Sequence, residues 1–275
     1  MTDLVWLVAL AMLALPAPAA ARQAPAAAPS LPTRAEKEGF LTTAAIVTEA
    51  AADGRPSWRA TLDSGTLKHV AGVETADGSP PTRRDHRFNV AAYELDKQLG
   101  LGLVAPSVER SVSGRPASLT WWVDDVAMTE MDRRQRRIDP PEPDAWSRQF
   151  EAVRVFDELI ANAYRDPSPP LYLNSVWDNL LITRDWTIWL TDHTGAFRTW
   201  VDLRDPENLT RCPRSVLARL RQIDRQVLHR ALGEHLSSRQ LDALEARRER
   251  LVRHFDDLIA RHGEAAVLYD LAPRP

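Results

Sequence analysis

The second half of the chain has the apolar pattern of helices, with one exception that limits the folds open to it. Residues 178–192, DNLLITRDWTIWLTD, form two short β-rich runs around an Arg184-Asp185 turn. The second run carries Asp192 into a turn of small residues. A carboxylate in that position is costly to desolvate unless an arginine, a group of backbone amides or a metal ion meets it. The sequence therefore predicts a strand pair that delivers an acid to a partner.

The first half is richer in strands. Alternating runs at 57–74 surround the turn Asp63-Ser64-Gly65, and a second hairpin at 104–125 turns at Ser113-Gly114. Between the hairpins, residues 86–99 have apolar side chains at helical spacing and end at Gly100. A β-rich part followed by a helical part predicts an α+β chain with two lobes, and a cleft between lobes is the default ligand site.

The N-terminus has the pattern of an export signal. An uninterrupted apolar run at 4–15 is too short for a typical membrane span, and Ala19-Ala20-Ala21 offers small residues for cleavage. We therefore predict a signal peptide at 1–21 and a periplasmic or secreted bacterial protein with no stable membrane span after cleavage. An uncleaved N-terminal anchor is the alternative. The Ala/Pro-rich residues 22–34 predict a disordered linker. The N-lobe is expected at 35–125 and the C-lobe at 126–275.

Composition excludes several kinds of site. The formal net charge is −3, which gives no basic excess for nucleic acid. The single cysteine, Cys212, excludes an intramolecular disulfide and a multi-cysteine metal site. The chain has three lysines, so a role that needs an ammonium group has three candidates: Lys37, Lys68 and Lys97.

Four segments together resemble the atypical kinase fold, in the branch of the secreted Golgi casein kinase and HipA families and, more distantly, the phosphatidylinositol kinases. The segments are VAAYELDKQLGLGLVAPSVER (90–110), VFDELIANAYRD (155–166), DNLLI (178–182) and WLTDHTGAFR (189–198). The likeness covers about residues 40–200 and is closest to bacterial exported members.

The resemblance implies a two-lobed protein-kinase-like fold. Its N-lobe would be small and β-rich with one helix, and its C-lobe larger and helical with a central β-hairpin. It also implies ATP with Mg²⁺ or Mn²⁺ as cofactors, and a protein or small-molecule hydroxyl as the phosphate acceptor. The implied metal ligands are Asn179 and Asp192, on opposite arms of the hairpin. An Asn amide oxygen and an Asp carboxylate suit a magnesium ion held against phosphates.

The catalytic positions depart from the family pattern. Tyr164 stands where the family has its catalytic Asp, and a phenol is a poor proton acceptor at neutral pH. An insertion with three prolines follows it. Asp178 or Asp166 are the candidates for the vacant catalytic role, and Asp178 is the better one because it adjoins Asn179.

The nucleotide-binding positions also depart. Helix 86–99 presents Asn89 where the family has a Glu that pairs with a Lys. Lys68 is the one lysine in a plausible place, although the resemblance puts the family's lysine nearer 71–74. Trp121 and Trp122 are expected on opposite faces of a strand, one in the core and the other under the helical lobe or beside an adenine pocket.

These departures leave three hypotheses. The first is an exported phosphotransferase with a degenerate catalytic loop, which binds a metal nucleotide between its lobes. The second is an inactive pseudokinase that acts as a binding or regulatory module. The third is an envelope structural protein without a ligand.

Overall fold

The structure, a computed structural model, describes residues 32–49, 57–75, 84–162, 177–272 and 274. The predicted signal peptide, almost all of the predicted linker and Asp166 lie outside these residues. The strands are β1 Ala45–Glu49, β2 Ser57–Asp63, β3 Lys68–Thr75, β4 Ser107–Val112, β5 Arg115–Trp121, β6 Val126–Thr129, β7 Leu180–Thr183, β8 Ile188–Leu190, β9 Cys212–Pro213 and β10 Leu268–Tyr269. The helices are α1 Arg34–Thr43, α2 Arg87–Leu99, α3 Glu130–Gln135, α4 Pro143–Ile160, α5 Arg214–Gln222, α6 Arg225–Leu232, α7 Ser238–His262 and α8 Glu264–Val267.

The smaller lobe is built on an antiparallel sheet of five strands in the order β1-β2-β3-β5-β4. Both predicted hairpin turns are present. Gly65 joins β2 to β3 with φ of 85°, and the Ser113-Gly114 pair joins β4 to β5 with φ values of 50° and 78°. Consecutive positive φ values are typical of the tight turns that match strand twist.

Helix α1 covers one face of this sheet and was not among the elements expected from the sequence. Thr33 begins the helix in a capping box with Glu36. Phe40 and Leu41 of α1 pack against a buried sheet face that includes Val73 and Trp121. Because α1 takes this face, the other face of β2, β3 and β5 is left toward the larger lobe.

Helix α2 contacts the five-stranded sheet, but its buried side chains belong to the core of the larger lobe. Its buried side chains share one hydrophobic cluster with α4, α7 and the β7–β8 hairpin. Phe88 of α2 contacts Phe197 with ring centroids 5.6 Å apart. The helix ends at Gly100, as expected, in the left-handed conformation with φ of 63°.

The larger lobe is mainly helical and contains a sheet of three strands in the order β6-β7-β8. The predicted turn at Arg184-Asp185 joins β7 to β8, which pair with Leu180 opposite Leu190. Arg247 of α7 is fully buried and donates hydrogen bonds to the carbonyls of Leu159 and Arg198. The two-lobed α+β arrangement expected from the sequence is therefore present.

Among the described residues, no helix has both the length and the apolar character needed to cross a membrane.

Candidate functional site

Asp192 follows β8 at the point where the chain leaves the hairpin. Its φ of 48° places a non-glycine residue in the left-handed region, a conformation that is often found at functional sites. One carboxylate oxygen, Oδ1, accepts hydrogen bonds from the backbone N–H and hydroxyl of Thr194, at 3.2 and 2.5 Å. The turn thus fixes the carboxylate orientation and leaves Oδ2 to face other groups.

Asn179 stands at the start of the other arm of the hairpin. Its carbonyl accepts the backbone N–H of Thr191 at 3.0 Å, which brings the two ends of the hairpin together. The side-chain Nδ2 lies 3.4 Å from Asp192 Oδ2. Asn179 and Asp192, the two predicted metal ligands, therefore face each other.

A cation that sequence reasoning missed also reaches this pair. Arg84 Nη2 lies 3.7 Å from Asp192 Oδ2 and 3.8 Å from Oε1 of Glu74. Glu74 is near the end of β3, within the stretch where the resemblance placed the family's lysine. The charges are therefore the reverse of those that the resemblance implied: the strand carries a carboxylate, and the cation comes from the segment before α2. A basic pair directly before the helix, Arg83-Arg84, was the available signal.

Asn89 is buried and both ends of its amide are used within the protein. Its Nδ2 donates to Ser118 Oγ on β5 at 3.0 Å, and its Oδ1 accepts the backbone N–H of His193 at 2.7 Å. A second hydrogen bond holds the turn that contains Asp192, because the backbone N–H of Asp85 donates to the carbonyl of Thr194. Asn89 thus ties α2 to the sheet and to the Asp192 turn.

Lys68 lies at the opposite end of β3 from Glu74. Its ammonium is 3.2 Å from Asp63 Oδ2 beside the β2–β3 turn, and its side chain is 63% exposed. Six residues of extended strand span about 20 Å, more than a lysine side chain can reach. The structure therefore does not bring Lys68 together with Asn179 and Asp192.

Of the two candidates for the catalytic role, the structure describes Asp178 alone. Asp178 is exposed and directly precedes Asn179, in the turn that leads into β7. Asp166 lies outside the described residues, as does Tyr164 at the expected base position. The catalytic role of either aspartate stays a prediction.

The sheet face above the site carries an aromatic side chain. Trp121 and Trp122 point to opposite faces, as predicted: Trp121 is buried against α1, whereas Trp122 is 38% exposed. The guanidinium of Arg59 lies 3.8 Å from the centroid of the Trp122 ring. A Cβ built on Gly72 would be 3.9 Å from the same ring. Trp122 therefore covers a strand position that has no side chain of its own.

The oxygen donors suit one kind of metal ion. In the described part of the chain, no group of three or more His, Cys, Asp or Glu side chains is arranged to hold a metal by itself. Mg²⁺, however, is often bound by one or two protein oxygens and completes its shell with water and substrate phosphates. Asp192 Oδ2 and the Asn179 amide fit that requirement, and Arg84 lies beside the same oxygen.

Comparison with solved structures identifies the fold. The structure of a hydra Fam20 protein with sugar superposes with a TM-score of 0.59 at 14% sequence identity, covering 86% of this chain and 92% of that one. The proinflammatory kinase CtkA of Helicobacter pylori gives a TM-score of 0.49 at 12% identity, covering 79% and 96%. No protein-family model matches the sequence, and no curated protein matches it significantly.

The chain therefore has a kinase-like fold, as the sequence resemblance predicted. Sequence identity of 14% to the Fam20 structure shows the fold alone. The chemistry of the cleft has to be argued from the residues of this chain.

Proposed function

We propose that this protein binds a nucleotide with Mg²⁺ or Mn²⁺, ATP in the first instance, in the cleft between its lobes. The observation that carries the proposal is the approach of Asn179 to Asp192, 3.4 Å apart at the two ends of one hairpin. Asp192 Oδ1 is held by Thr194, and Oδ2 accepts the long hydrogen bond from Asn179 Nδ2, so a turn of the Asn179 amide would present one oxygen from each residue to a metal ion. A bound metal ion would neutralise phosphate charge beside this oxygen.

Arg84 is the phosphate-binding group of the proposal. Its guanidinium carries a permanent positive charge and can donate two parallel hydrogen bonds to a phosphate. Its present neighbours, Glu74 and Asp192, are 3.8 and 3.7 Å away, beyond hydrogen-bond distance. The guanidinium is therefore within ion-pair distance of both carboxylates, at the place where the phosphates are proposed to lie.

Trp122 is the proposed contact for the base. An indole face offers stacking to any planar ring, and Trp122 is partly exposed beside Gly72 on the free face of the sheet. Arg59, which lies over the ring, would give way to the base or remain on its other side.

Phosphoryl transfer is the second part of the proposal and demands more. A hydroxyl acceptor must lose its proton, and the candidates for the base are Asp178 and Asp166. A cavity of about 230 Å³, lined by Trp177 and Asn162 among other residues, lies beside the start of β7 and is the proposed place for the acceptor, a protein or small-molecule hydroxyl.

The alternatives are a pseudokinase that binds without transfer and an envelope structural protein without a ligand. Export through the N-terminal segment is also proposed, on the sequence pattern at 1–21.

Thermal unfolding tests the binding step. The protein is heated with ATP and Mg²⁺ or Mn²⁺, with each alone, and with neither. A ligand at a hundred times its dissociation constant stabilises by about 2.7 kcal/mol, which is a rise of about 5–10 °C for a chain of this size. The rise should require metal and disappear in Asp192→Ala. It should persist in Asp202→Ala, whose carboxylate is 82% exposed and lies outside the proposed site.

The outcomes separate the hypotheses. No shift with any nucleotide or metal would overturn the proposal and leave the structural role. A shift together with ADP formation and a phosphorylated product supports the phosphotransferase. A shift without turnover supports the pseudokinase.

A further inference from the structure

A second cavity, of about 370 Å³, lies at the far end of α2, between the start of α1 and the loop that follows Gly100. The residues that line it do not include Asn179, Asp192, Arg84 or Glu74. Its charged lining consists of three cations and two carboxylates: Arg34, Lys97, Arg274, Glu38 and Asp96. The cavity therefore carries an excess of positive charge.

The buried carboxylate in the lining of this cavity, Asp96, already accepts a hydrogen bond at each of its two oxygens. Asp96 Oδ2 accepts a hydrogen bond from Arg34 Nη2 at 2.8 Å, and Oδ1 accepts the backbone N–H of Leu103 at 2.8 Å. Burial raises the pKa of Asp96, while the charge of Arg34 opposes that rise. Asp96 therefore balances the charge of Arg34, and no hydrogen bond joins it to the second guanidinium.

The second guanidinium belongs to Arg274. It donates to the carbonyl of Ile188 and lies 5.1 Å from the centroid of the Trp189 ring. The charges of Asp96 and Asp185 act on it, without a direct ion pair among the described residues. Burial lowers the pKa of Arg274 to about 10, which records the cost of holding this charge away from water.

Three nitrogen atoms of the two arginines donate to no acceptor among the described residues. They are Arg34 Nη1, Arg274 Nε and Arg274 Nη1, and all three are shielded from solvent. A buried donor without an acceptor is unfavourable, and more so when it is charged. Lys97 differs, because it lies at the exposed rim and already pairs with Glu38 and Glu94 at 3.2 and 2.7 Å.

We propose that this cavity is a binding site for a small oxyanion, a phosphate or phosphate monoester, held between Arg34 and Arg274. A tetrahedral oxyanion offers several acceptors at once, and two guanidinium groups are well matched to it. The unpaired N–H groups are covered by protein atoms, so binding includes a turn of the Arg274 guanidinium into the cavity. The anion would join α1, α2 and the C-terminal segment through ionic bonds.

Titration of the whole protein with inorganic phosphate tests this site. Isothermal titration calorimetry and thermal unfolding are done in a phosphate-free buffer, against sodium chloride of equal ionic strength. Wild type should bind phosphate saturably and melt several degrees higher. Arg274→Gln should weaken binding by about tenfold or more. Arg136→Gln, an exposed arginine at the end of α3, is the matched control and should bind as wild type does.

Two further measurements distinguish this site from the cleft and from a structural role. Asp192→Ala should retain phosphate binding, because Asp192 is not part of this cavity. In phosphate-free buffer Arg274→Gln should melt no lower than wild type, since it removes a buried charge that has no directly bonded counterion. If Arg274→Gln does not fold, Lys97→Gln takes its place and should weaken binding by a smaller factor.

The proposal fails if wild type shows no saturable response beyond that of chloride, or if Arg274→Gln and Lys97→Gln bind phosphate as wild type does. It also fails if Arg274→Gln melts lower than wild type without phosphate, because the Ile188 carbonyl and the charge of Asp96 would then stabilise this guanidinium without an anion. Separate titrations with acetate and with glycerol 3-phosphate identify the class of oxyanion that the cavity prefers. Tighter binding of acetate than of phosphate would also contradict the assignment.

Discussion

The side chain of Asn89 accepts a hydrogen bond from the backbone N–H of His193 across 104 residues of sequence, at 2.7 Å. His193 directly follows Asp192, so the bond fixes the turn that aims the Asp192 carboxylate. The amide nitrogen of Asn89 is anchored in turn to Ser118 on β5. One neutral residue on α2 therefore joins the sheet of the smaller lobe to the metal-binding turn proposed for the larger one.

Replacing Asn89 by Ala should destabilise the protein by about 1–3 kcal/mol. The change leaves the backbone N–H of His193 and the hydroxyl of Ser118 without their partner in a buried place. Chemical denaturation of the two proteins measures the difference in free energy of unfolding. Ser118→Ala, which interrupts one of the two bonds, should cost less than Asn89→Ala. Equal stability of Asn89→Ala and wild type would show that the link has no energetic weight.

Replacing Arg84 by Gln should weaken ATP binding by about tenfold while leaving adenosine binding unchanged. The guanidinium lies beside Asp192 and Glu74, where the phosphates are proposed to lie. Calorimetric titration with each ligand gives the two affinities. Arg184→Gln, an exposed arginine at the hairpin turn, is the control. An equal loss for ATP and adenosine would mean that Arg84 acts through the fold and not through the phosphates.

The stability of the smaller lobe should fall as the pH is lowered from 7.5 to 5.5, in part because of His69. Burial lowers the pKa of His69, an effect larger than the opposing charge of Asp124, and Lys37 lowers it further. With a pKa in the folded state below that of the unfolded state, the unfolded chain binds more protons through this window, so acid favours unfolding. The free energy of unfolding, measured at both pH values, should fall less in His69→Phe. The same fall in both proteins would assign the pH dependence to other groups.

Cys212 should be inert in the native protein and reactive after unfolding. It is fully buried at the start of β9, and burial raises the pKa of its thiol from 9.0 to about 12. A rise of three pKa units lowers the thiolate fraction by about a thousandfold at pH 8. An aromatic disulfide reagent should therefore titrate one thiol in guanidinium chloride and almost none in buffer. Rapid reaction of the folded protein would contradict this placement.

The local elements could be read from the sequence because their causes are local. Gly100 ends α2, and Ser113-Gly114 supplies the positive φ values that a tight hairpin needs. The opposition of Asn179 and Asp192 was predictable for the same reason. They lie at the two ends of one short hairpin, and strand pairing brings such ends together.

Helix α1 shows where this reading falls short. Its ten residues, RAEKEGFLTT, were placed at the start of the N-lobe without an element of their own. The helix is stabilised by the sheet face that Phe40 and Leu41 cover, and the strands of that face lie farther along the chain. Packing selected the helix there, since propensity over ten residues is a weak preference.

The sequence alone determined the two-lobed plan, the hairpin and the acid at its end, because hydrophobic period and turn chemistry act between near neighbours. Only the tertiary structure decided which charges meet that acid. Lys68 was the expected nucleotide-binding cation, yet Arg84 is the cation that lies beside Asp192. Asn89, expected at the position that pairs with that lysine, instead holds the Asp192 turn. These pairings join residues about a hundred positions apart, and their distances depend on how α2 seats in the core of the larger lobe. No local pattern carries that information.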